Sequence, residues 1–313
     1  MVSLPYALLP YKPCVAFNRW QIGRFVARAN ISYVINGNAL HFPFPESKVI
    51  YKAYDVIDDQ ISPSCVKAWP KIRRFSLAEM RGADEVYCIS CSLIERLSEE
   101  GISPVVLMPN GVTCADYRNV PQSEIERCRD RLGIRGQFVI TAIGSHSWWV
   151  DLELLSDAVR RLRTKGLPVV LVVVGPVVGG SNGHDRHDSD GILFIGPVPR
   201  KEVPLYYAIS DLGAMPMRID PFTDNCHPIK VLEYGACRKH MIATPLKELK
   251  KLRFPHVELV TPSVDAWAER IESIVTHDTL RWQPDWDAVF DRYEWPNVLQ
   301  PLTQSVLNVV SRS

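Results

Sequence analysis

Short β-branched runs alternate with stretches of helical period along most of this chain. In the first third, Cys14–Phe17, Ile31–Ile35, Val49–Tyr54, Glu85–Ile89 and Val105–Met108 predict strands. Between them Trp20–Arg28, Ala68–Arg81 and Leu93–Glu100 predict helices. Such alternation is the pattern of parallel βα units. Asn110-Gly111-Val112 interrupts it with a turn dipeptide after a strand. A connecting helix is expected over Pro121–Leu132, with Ser123 and Glu126 at capping-box spacing.

The second half is clearer. Phe138–Ile143 predicts a buried strand, and a helix opens at Asp151 with Leu152, Leu155, Val159 and Leu162 on one face. Val169–Val174 carries only Val and Leu, as a central strand covered on both sides requires. Ile192–Ile195, Leu212–Met215 and Met241–Thr244 predict shorter strands. Val264–Val275 aligns Trp267, Ile271 and Val275 on one helical face, and a last helix is expected over Pro296–Val310. A chain of 313 residues suits two domains. The reading is α/β: an acceptor-side Rossmann-like domain over 1–114, a linker over 115–136, a second Rossmann-like domain over 137–292, and a closing segment, 293–313, that packs back on the first.

Composition changes this picture little. Hydrophobic residues make up 46% and charged residues 23% of the chain, ordinary for a globular protein. Lys and Arg exceed Asp and Glu by one, so the overall balance calls for no nucleic acid. Residues 1–12 have no basic stretch ahead of their apolar residues, and the apolar run Leu167–Val178 is broken by Pro168, Gly175 and Pro176, so neither a secretory leader nor a membrane span is expected. Eight scattered cysteines, with Cys88 and Cys91 as the one close pair, point to reduced thiols in the cytoplasm.

Doubly wound sheets bind ligands beyond the carboxyl ends of their strands. Those ends carry Gly144-Ser145-His146, Gly175-Pro176, Gly196-Pro197-Val198 and the stretch Asp220–His227. The stretch that follows, His227-Pro228-Ile229-Lys230-Val231-Leu232-Glu233-Tyr234-Gly235-Ala236, is more informative. Pro228 suits a helix start, where free N–H groups favour an anion. Lys230 and Glu233, three apart, share a face. A cation at a helix N-terminus opposes the dipole unless an anion sits there too. A diphosphate on Lys230 with ribose hydroxyls on Glu233 satisfies these requirements; a solvated Lys–Glu pair on a surface helix satisfies the spacing equally.

Asp211-Leu212-Gly213-Ala214-Met215-Pro216, the Pro228–Ala236 run and Ile242-Ala243-Thr244 together resemble the donor-site signature of GT-B glycosyltransferases of the large retaining group and their relatives. Asp151-Leu152-Glu153-Leu154-Leu155 and Val174-Gly175-Pro176 resemble the subgroup of teichuronic-acid and xanthan-type polysaccharide enzymes. Ala83-Asp84-Glu85-Val86 and Pro109-Asn110-Gly111-Val112 match the passage out of the first domain. The resemblance runs over roughly residues 45 to 300. It implies a GT-B fold, two doubly wound domains facing a cleft. It implies a first domain truncated by one βα unit, because related chains place further residues ahead of the segment matching Leu4–Pro13.

The resemblance also implies roles. Lys230 contacts the donor diphosphate, Glu233 the ribose, the backbone near Val198 the base, and Gly144, Ser145, His146 and Gly175 line phosphate and sugar. Many retaining members carry a glutamate eight positions before Glu233, where this chain has Asn225. Sugar contacts then fall to Asp224, Asn225 or His227, and the stereochemical outcome stays open. In the first domain Asp55, and next Asp58, match the position of a catalytic base in the polysaccharide branch; capping of a following loop is the competing reading for Asp58 and Asp59.

The donor implied is a UDP- or GDP-sugar, the acceptor a glycan or lipid-linked glycan, and no metal is expected. Asp188-Ser189-Asp190, with His184, Asp185 and His187 nearby, reads as an exposed loop rather than a metal site. Trp148 and Trp149 either stack on a sugar or base or pack a domain interface. Lys67, Lys71, Arg73 and Arg74 with Trp69 and Phe75 are a membrane-facing patch or a solvated helix face, so peripheral contact with the inner membrane face stays open. The leading reading is a metal-independent glycosyltransferase of polysaccharide synthesis, cytoplasmic and free to work with a partner transferase. The competing one is a non-catalytic partner subunit that keeps nucleotide-sugar binding.

Overall fold

Val169–Val174 is buried at every position, and this decides the architecture of the second half. A run of β-branched residues has no polar face to turn to water, so it forms a central strand covered on both sides. In the computed structural model, which describes residues 33–37, 51–56, 73, 74, 77, 78, 80–178, 187, 188, 190–277 and 280–311, it lies between two parallel neighbours. The chain divides into two compact units. The described residues from Asn110 to Val298 form one, and those up to Pro109 together with those from Leu299 onward form the other.

The larger unit holds strands β5 (Phe138–Ile143), β6 (Val169–Val174), β7 (His187–Asp188), β8 (Ile192–Gly196), β9 (Leu212–Met215), β10 (Met241–Ala243) and β11 (Val257–Leu259). Their order across the sheet is β11-β10-β9-β5-β6-β8-β7, parallel except for β7 against β8. The chain thus steps outward from β5 to β6 and β8, then returns to β9 on the other side of β5. That reversal is the topological switch point, between β5 and β9.

Side chains alternate across this sheet with a period of two. Ile140, Leu171 and Val173 face Leu155, Val159 and Leu162 of the Leu152–Thr164 helix and Trp267 and Ile271 of the Val264–His277 helix. Val139, Val170 and Val172 face Tyr207, Leu232, Tyr234 and Phe290. Each fully covered aliphatic side chain contributes about 1.5–3 kcal/mol, so the two layers hold the sheet from both sides.

The smaller unit holds β1 (Tyr33–Gly37), β2 (Tyr51–Val56), β3 (Glu85–Cys88) and β4 (Val105–Leu107), parallel and in chain order. Ser90 caps the Cys91–Glu99 helix by accepting from the Leu93 N–H at 3.1 Å, and Leu93 and Leu97 pack on Met80, Val86, Cys88 and Ile102. Ser305, on the Gln300–Val310 helix, donates to Glu85 at 2.7 Å. Among the described residues no helix is long and apolar enough to cross a membrane.

Several expectations change. Residues 115–136, read as a linker, hold the Cys114–Arg118 and Gln122–Arg131 helices within the larger unit. Ser123 forms no capping box, because Pro121 is the N-cap and Ser123 already sits inside the helix. His187–Asp188 pairs with β8, so the segment read as an exposed loop around Asp188 contains a short strand. The last helix is two, Trp295–Val298 and Gln300–Val310. Cys14–Phe17 and Trp20–Arg28 lie outside the described residues.

Candidate functional site

Three glycines end the adjacent strands β5, β6 and β8 and bring their backbones together. Gly175 donates to the Gly196 carbonyl at 2.8 Å, and Gly144 donates to the Val174 carbonyl at 2.9 Å. Gly144 has φ of +138° and Gly175 of +116°, values that side chains of L-residues rarely allow. A Cβ on Gly175 would lie 1.9 Å from the Gly144 carbonyl oxygen, and one on Gly144 would lie 2.8 Å from Lys230 Cε. The result is a backbone floor at the carboxyl end of the sheet, with the Lys230 side chain lying across it.

Lys230 is the second residue of the Ile229–Ala236 helix, whose N-cap is Pro228. Its ammonium lies 2.9 Å from Glu233 Oε2, and its side chain keeps 28% of its surface open. Glu233 is nearly covered and is held from two other sides. Tyr117 donates to Oε1 at 2.7 Å and Tyr207 to Oε2 at 2.6 Å. Burial, then the Glu233 charge beside them, raises both phenols well above the ordinary tyrosine range, so both stay protonated donors. Tyr207 also stacks edge-on against Tyr234, whose hydroxyl donates to the Thr141 carbonyl at 2.7 Å. The carboxylate is anchored to the core, and Lys230 is anchored to the carboxylate.

His146 lies beside this floor, buried, with Nε2 3.1 Å from the Val174 carbonyl. Burial first, and then the nearby Lys230 charge, lower its pKa, so the ring is neutral and Lys230 carries the positive charge of the site. An anion lying on the glycine floor would meet one ammonium and the N-terminal N–H groups of one helix.

The fold places Gly144, His146, Gly175, Lys230 and Glu233 together. Ser145 is exposed on the same turn, and Val198 is half-buried two residues beyond Gly196. Of the residues expected to meet a sugar, Asp224 and Asn225 are engaged elsewhere and His227 is buried with neither ring nitrogen hydrogen-bonded. Asp224 accepts from the Lys247 backbone N–H at 2.8 Å, at the start of the Lys247–Leu252 helix. Asn225 is buried with its amide 2.6 Å from the Pro221 carbonyl. His227 is buried against Tyr293, its pKa lowered to about 4 by burial. Of the expected bases, Asp55 is the penultimate residue of β2, and Asp58 lies outside the described residues.

Comparison with known proteins fits this geometry. Residues 137–277 match the family described as Glycosyl transferases group 1. That segment is a group 1 glycosyltransferase domain, and the fold is GT-B. Over 189 residues the chain is 24% identical to the protein named as teichuronic acid biosynthesis glycosyltransferase TuaH of Bacillus subtilis, spanning 59% of this chain and 46% of that relative's length. Among solved structures, Anabaena HepE in complex with UDP has a TM-score of 0.65 at 18% identity, covering 83% of this chain and 72% of HepE. A sucrose-phosphate synthase from Thermosynechococcus elongatus has a TM-score of 0.70 at 14% identity, covering 96% and 79%.

Around Glu233, sequence reasoning missed Tyr117 and Tyr207. They stand 116 and 26 positions from Glu233, and no local spacing connects them to it. A carboxylate expected to accept from two ribose hydroxyls already accepts from two phenols and an ammonium.

Proposed function

We propose that the group 1 domain binds a nucleoside diphosphate sugar and that the protein transfers the sugar to a glycan or lipid-linked acceptor without a bound metal. The observation that carries this reading is Lys230 lying across a floor that only glycine at 144 and 175 keeps open. In the reaction, the acceptor hydroxyl attacks the anomeric carbon while that carbon's bond to the diphosphate oxygen breaks. The electron pair goes to the diphosphate, and Lys230 with the helix N-terminus stabilises the charge that develops there. Glu233 is a positioning group that holds Lys230 over the floor and offers its remaining acceptor capacity to the ribose. If the outcome is inversion, Asp55 takes the acceptor proton. Metal independence is supported by the donor set: an ammonium and backbone N–H groups stabilise a diphosphate directly.

HepE complexes with UDP, with UDP and glucose, and with UDP-glucose make UDP the first ligand to test. Calorimetric titration of UDP into the wild type and Lys230→Ala tests the reading. Removing a charged partner of the diphosphate is expected to weaken binding by about tenfold or more. Folding should be kept, because Glu233 retains both tyrosines. Equal UDP affinity in the two proteins would sink the assignment.

The competing reading, a non-catalytic partner subunit, draws on Asn225, whose amide is turned into the loop where many relatives have a glutamate. Sugar transfer by the purified chain separates the two readings.

A further inference from the structure

The donor reading leaves the transferred sugar without a recognised partner, since Asp224, Asn225 and His227 are engaged in capping or buried. The same carboxyl edge carries a different kind of surface. Trp148, Trp149 and Phe222 form a closed trio, each pair of ring centroids 5.6 Å apart. Trp148 and Trp149 follow β5, and Phe222 follows β9, so the trio sits over the topological switch point. The two loops are fastened together. Val150 bridges to Met217, Arg218 donates to the Trp149 carbonyl at 2.8 Å, and Asp151 donates to the Pro216 carbonyl at 2.7 Å. Asp220 caps the Pro221–Asp224 turn that carries Phe222, accepting from the Phe222 and Thr223 N–H groups.

The trio is therefore held in place, yet its outer ring is open: Trp148 keeps 37% of its surface exposed. A large aromatic left open on a fastened loop, four residues beyond Gly144, is placed to meet a ligand bound at that floor. The rings are not coplanar: Trp149 stands edge-on to Trp148 at 81° and Phe222 is tilted to it by 42°. The trio thus offers the open surface of one indole, Trp148, steadied by the other two and without charge of its own. That matches the C–H face of a pyranose ring, whose hydroxyls lie around its rim. It does not match the diphosphate, which the adjoining Lys230 floor takes. We propose that Trp148, backed by Trp149 and Phe222, is the stacking platform for the sugar of the nucleotide-sugar donor. This rests on the donor reading and assigns the sugar contact to aromatic rings in place of the absent glutamate.

The test separates sugar from nucleotide. UDP, UDP-glucose, UDP-galactose and UDP-N-acetylglucosamine are titrated into the wild type, Trp148→Ala and Trp148→Phe. An aromatic contact of about 0.8–1.4 kcal/mol, within the usual range of about 0.5–1.5, corresponds to about a four- to tenfold weaker preferred UDP-sugar for Trp148→Ala. UDP affinity should stay within about twofold, and Trp148→Phe should recover most of the loss. Equal loss for UDP and UDP-sugars would assign the ring to the nucleotide and overturn the proposal. So would unchanged UDP-sugar binding, or a change confined to the acceptor KM. If the wild type binds no UDP at all, the donor reading fails first, an outcome distinct from UDP binding that ignores Trp148.

Discussion

The two edges of the seven-stranded sheet both bury histidines, and the contrast between them shows what marks a site. At the amino edge His240 precedes β10 and His256 precedes β11, packed against Trp282, Trp286 and Phe290. At the carboxyl edge His146 and His227 are buried beside the glycine floor and the helix start. All four rings have at least one nitrogen without a partner, and burial lowers the pKa of all four. Buried imidazoles therefore do not distinguish the edges. Backbone kept bare by glycine, with one lysine side chain lying across it, does. At the amino edge the two imidazoles pack against aromatic rings, and the Arg270 charge is paired with Glu258 at 2.6 Å, much as Lys230 is with Glu233.

The most disruptive way to break this contrast is to cover the floor. Gly175→Ala would place a Cβ 1.9 Å from the Gly144 carbonyl, in a backbone conformation with φ of +116°. Neither neighbour is a flexible side chain, so β5 and β6 must part at their ends. The expected loss of stability is on the order of 4 kcal/mol or more, at the upper end for single substitutions. Urea unfolding measures it, and UDP binding should vanish in whatever folded fraction remains. A variant as stable as the wild type would mean that the floor gives way easily and that its shape is not what selects the ligand.

A smaller effect tests the equivalence of the histidines. Burial lowers His256 from 6.5 to about 3, and His227 from 6.5 to about 4. A neutral buried imidazole rejects the proton that the unfolded chain accepts. The stability it confers is complete above about pH 6.5 and is lost as pH falls toward the folded value, by up to about 1.4 kcal/mol per pH unit for each ring. His256→Gln should remove one proton's worth of that slope between about pH 6 and 4, and His227→Gln a similar amount. Urea midpoints at pH 7, 5.5 and 4.5 read it out. If only the carboxyl-edge variant flattened the slope, the two edges would differ in proton linkage after all.

How much of this was legible follows from which residues are covered. Phe138–Ile143, Val169–Val174 and Leu212–Met215 are bounded as the hydrophobic runs predict, because burial leaves no polar position to blur their ends. Val257–Leu259 is half-exposed and three residues long, so neither its pattern nor its length separates it from a loop. Lys230 and Glu233 were readable from helical spacing. The glycines were readable as turn residues, but not as one surface, since Gly144, Gly175 and Gly196 meet only when three strands align. Asp224 and Asn225 looked available because side chains of their type suit a ligand. Their hydrogen bonds to the Lys247 N–H and the Pro221 carbonyl are settled by the loop's own turn, which residue type does not encode.

The finest test lies in the tyrosines that hold Glu233. Tyr207 is fully buried and shares Oε2 with Lys230, whereas Tyr117 is half-buried and bonds Oε1 alone. Tyr207→Phe leaves a buried carboxylate oxygen with Lys230 as its one remaining contact there. A hydrogen bond to a charged group is worth about 1.5–3 kcal/mol, and a loss in that range is expected for Tyr207→Phe. Tyr117→Phe frees an oxygen that water or a ribose hydroxyl can reach, so its stability cost should be about 1 kcal/mol or less. The two variants should diverge in binding as well. If Glu233 serves the ribose, Tyr117→Phe removes a competitor and leaves UDP affinity equal or improved. Tyr207→Phe, by contrast, loosens the carboxylate that positions Lys230 and weakens UDP. Calorimetry with UDP against 2′-deoxy-UDP sharpens the point, because an Oε1 freed from Tyr117 should widen the preference for the ribose form. An unchanged preference would leave Glu233 as the anchor of Lys230 alone and move ribose recognition to the backbone around Val198.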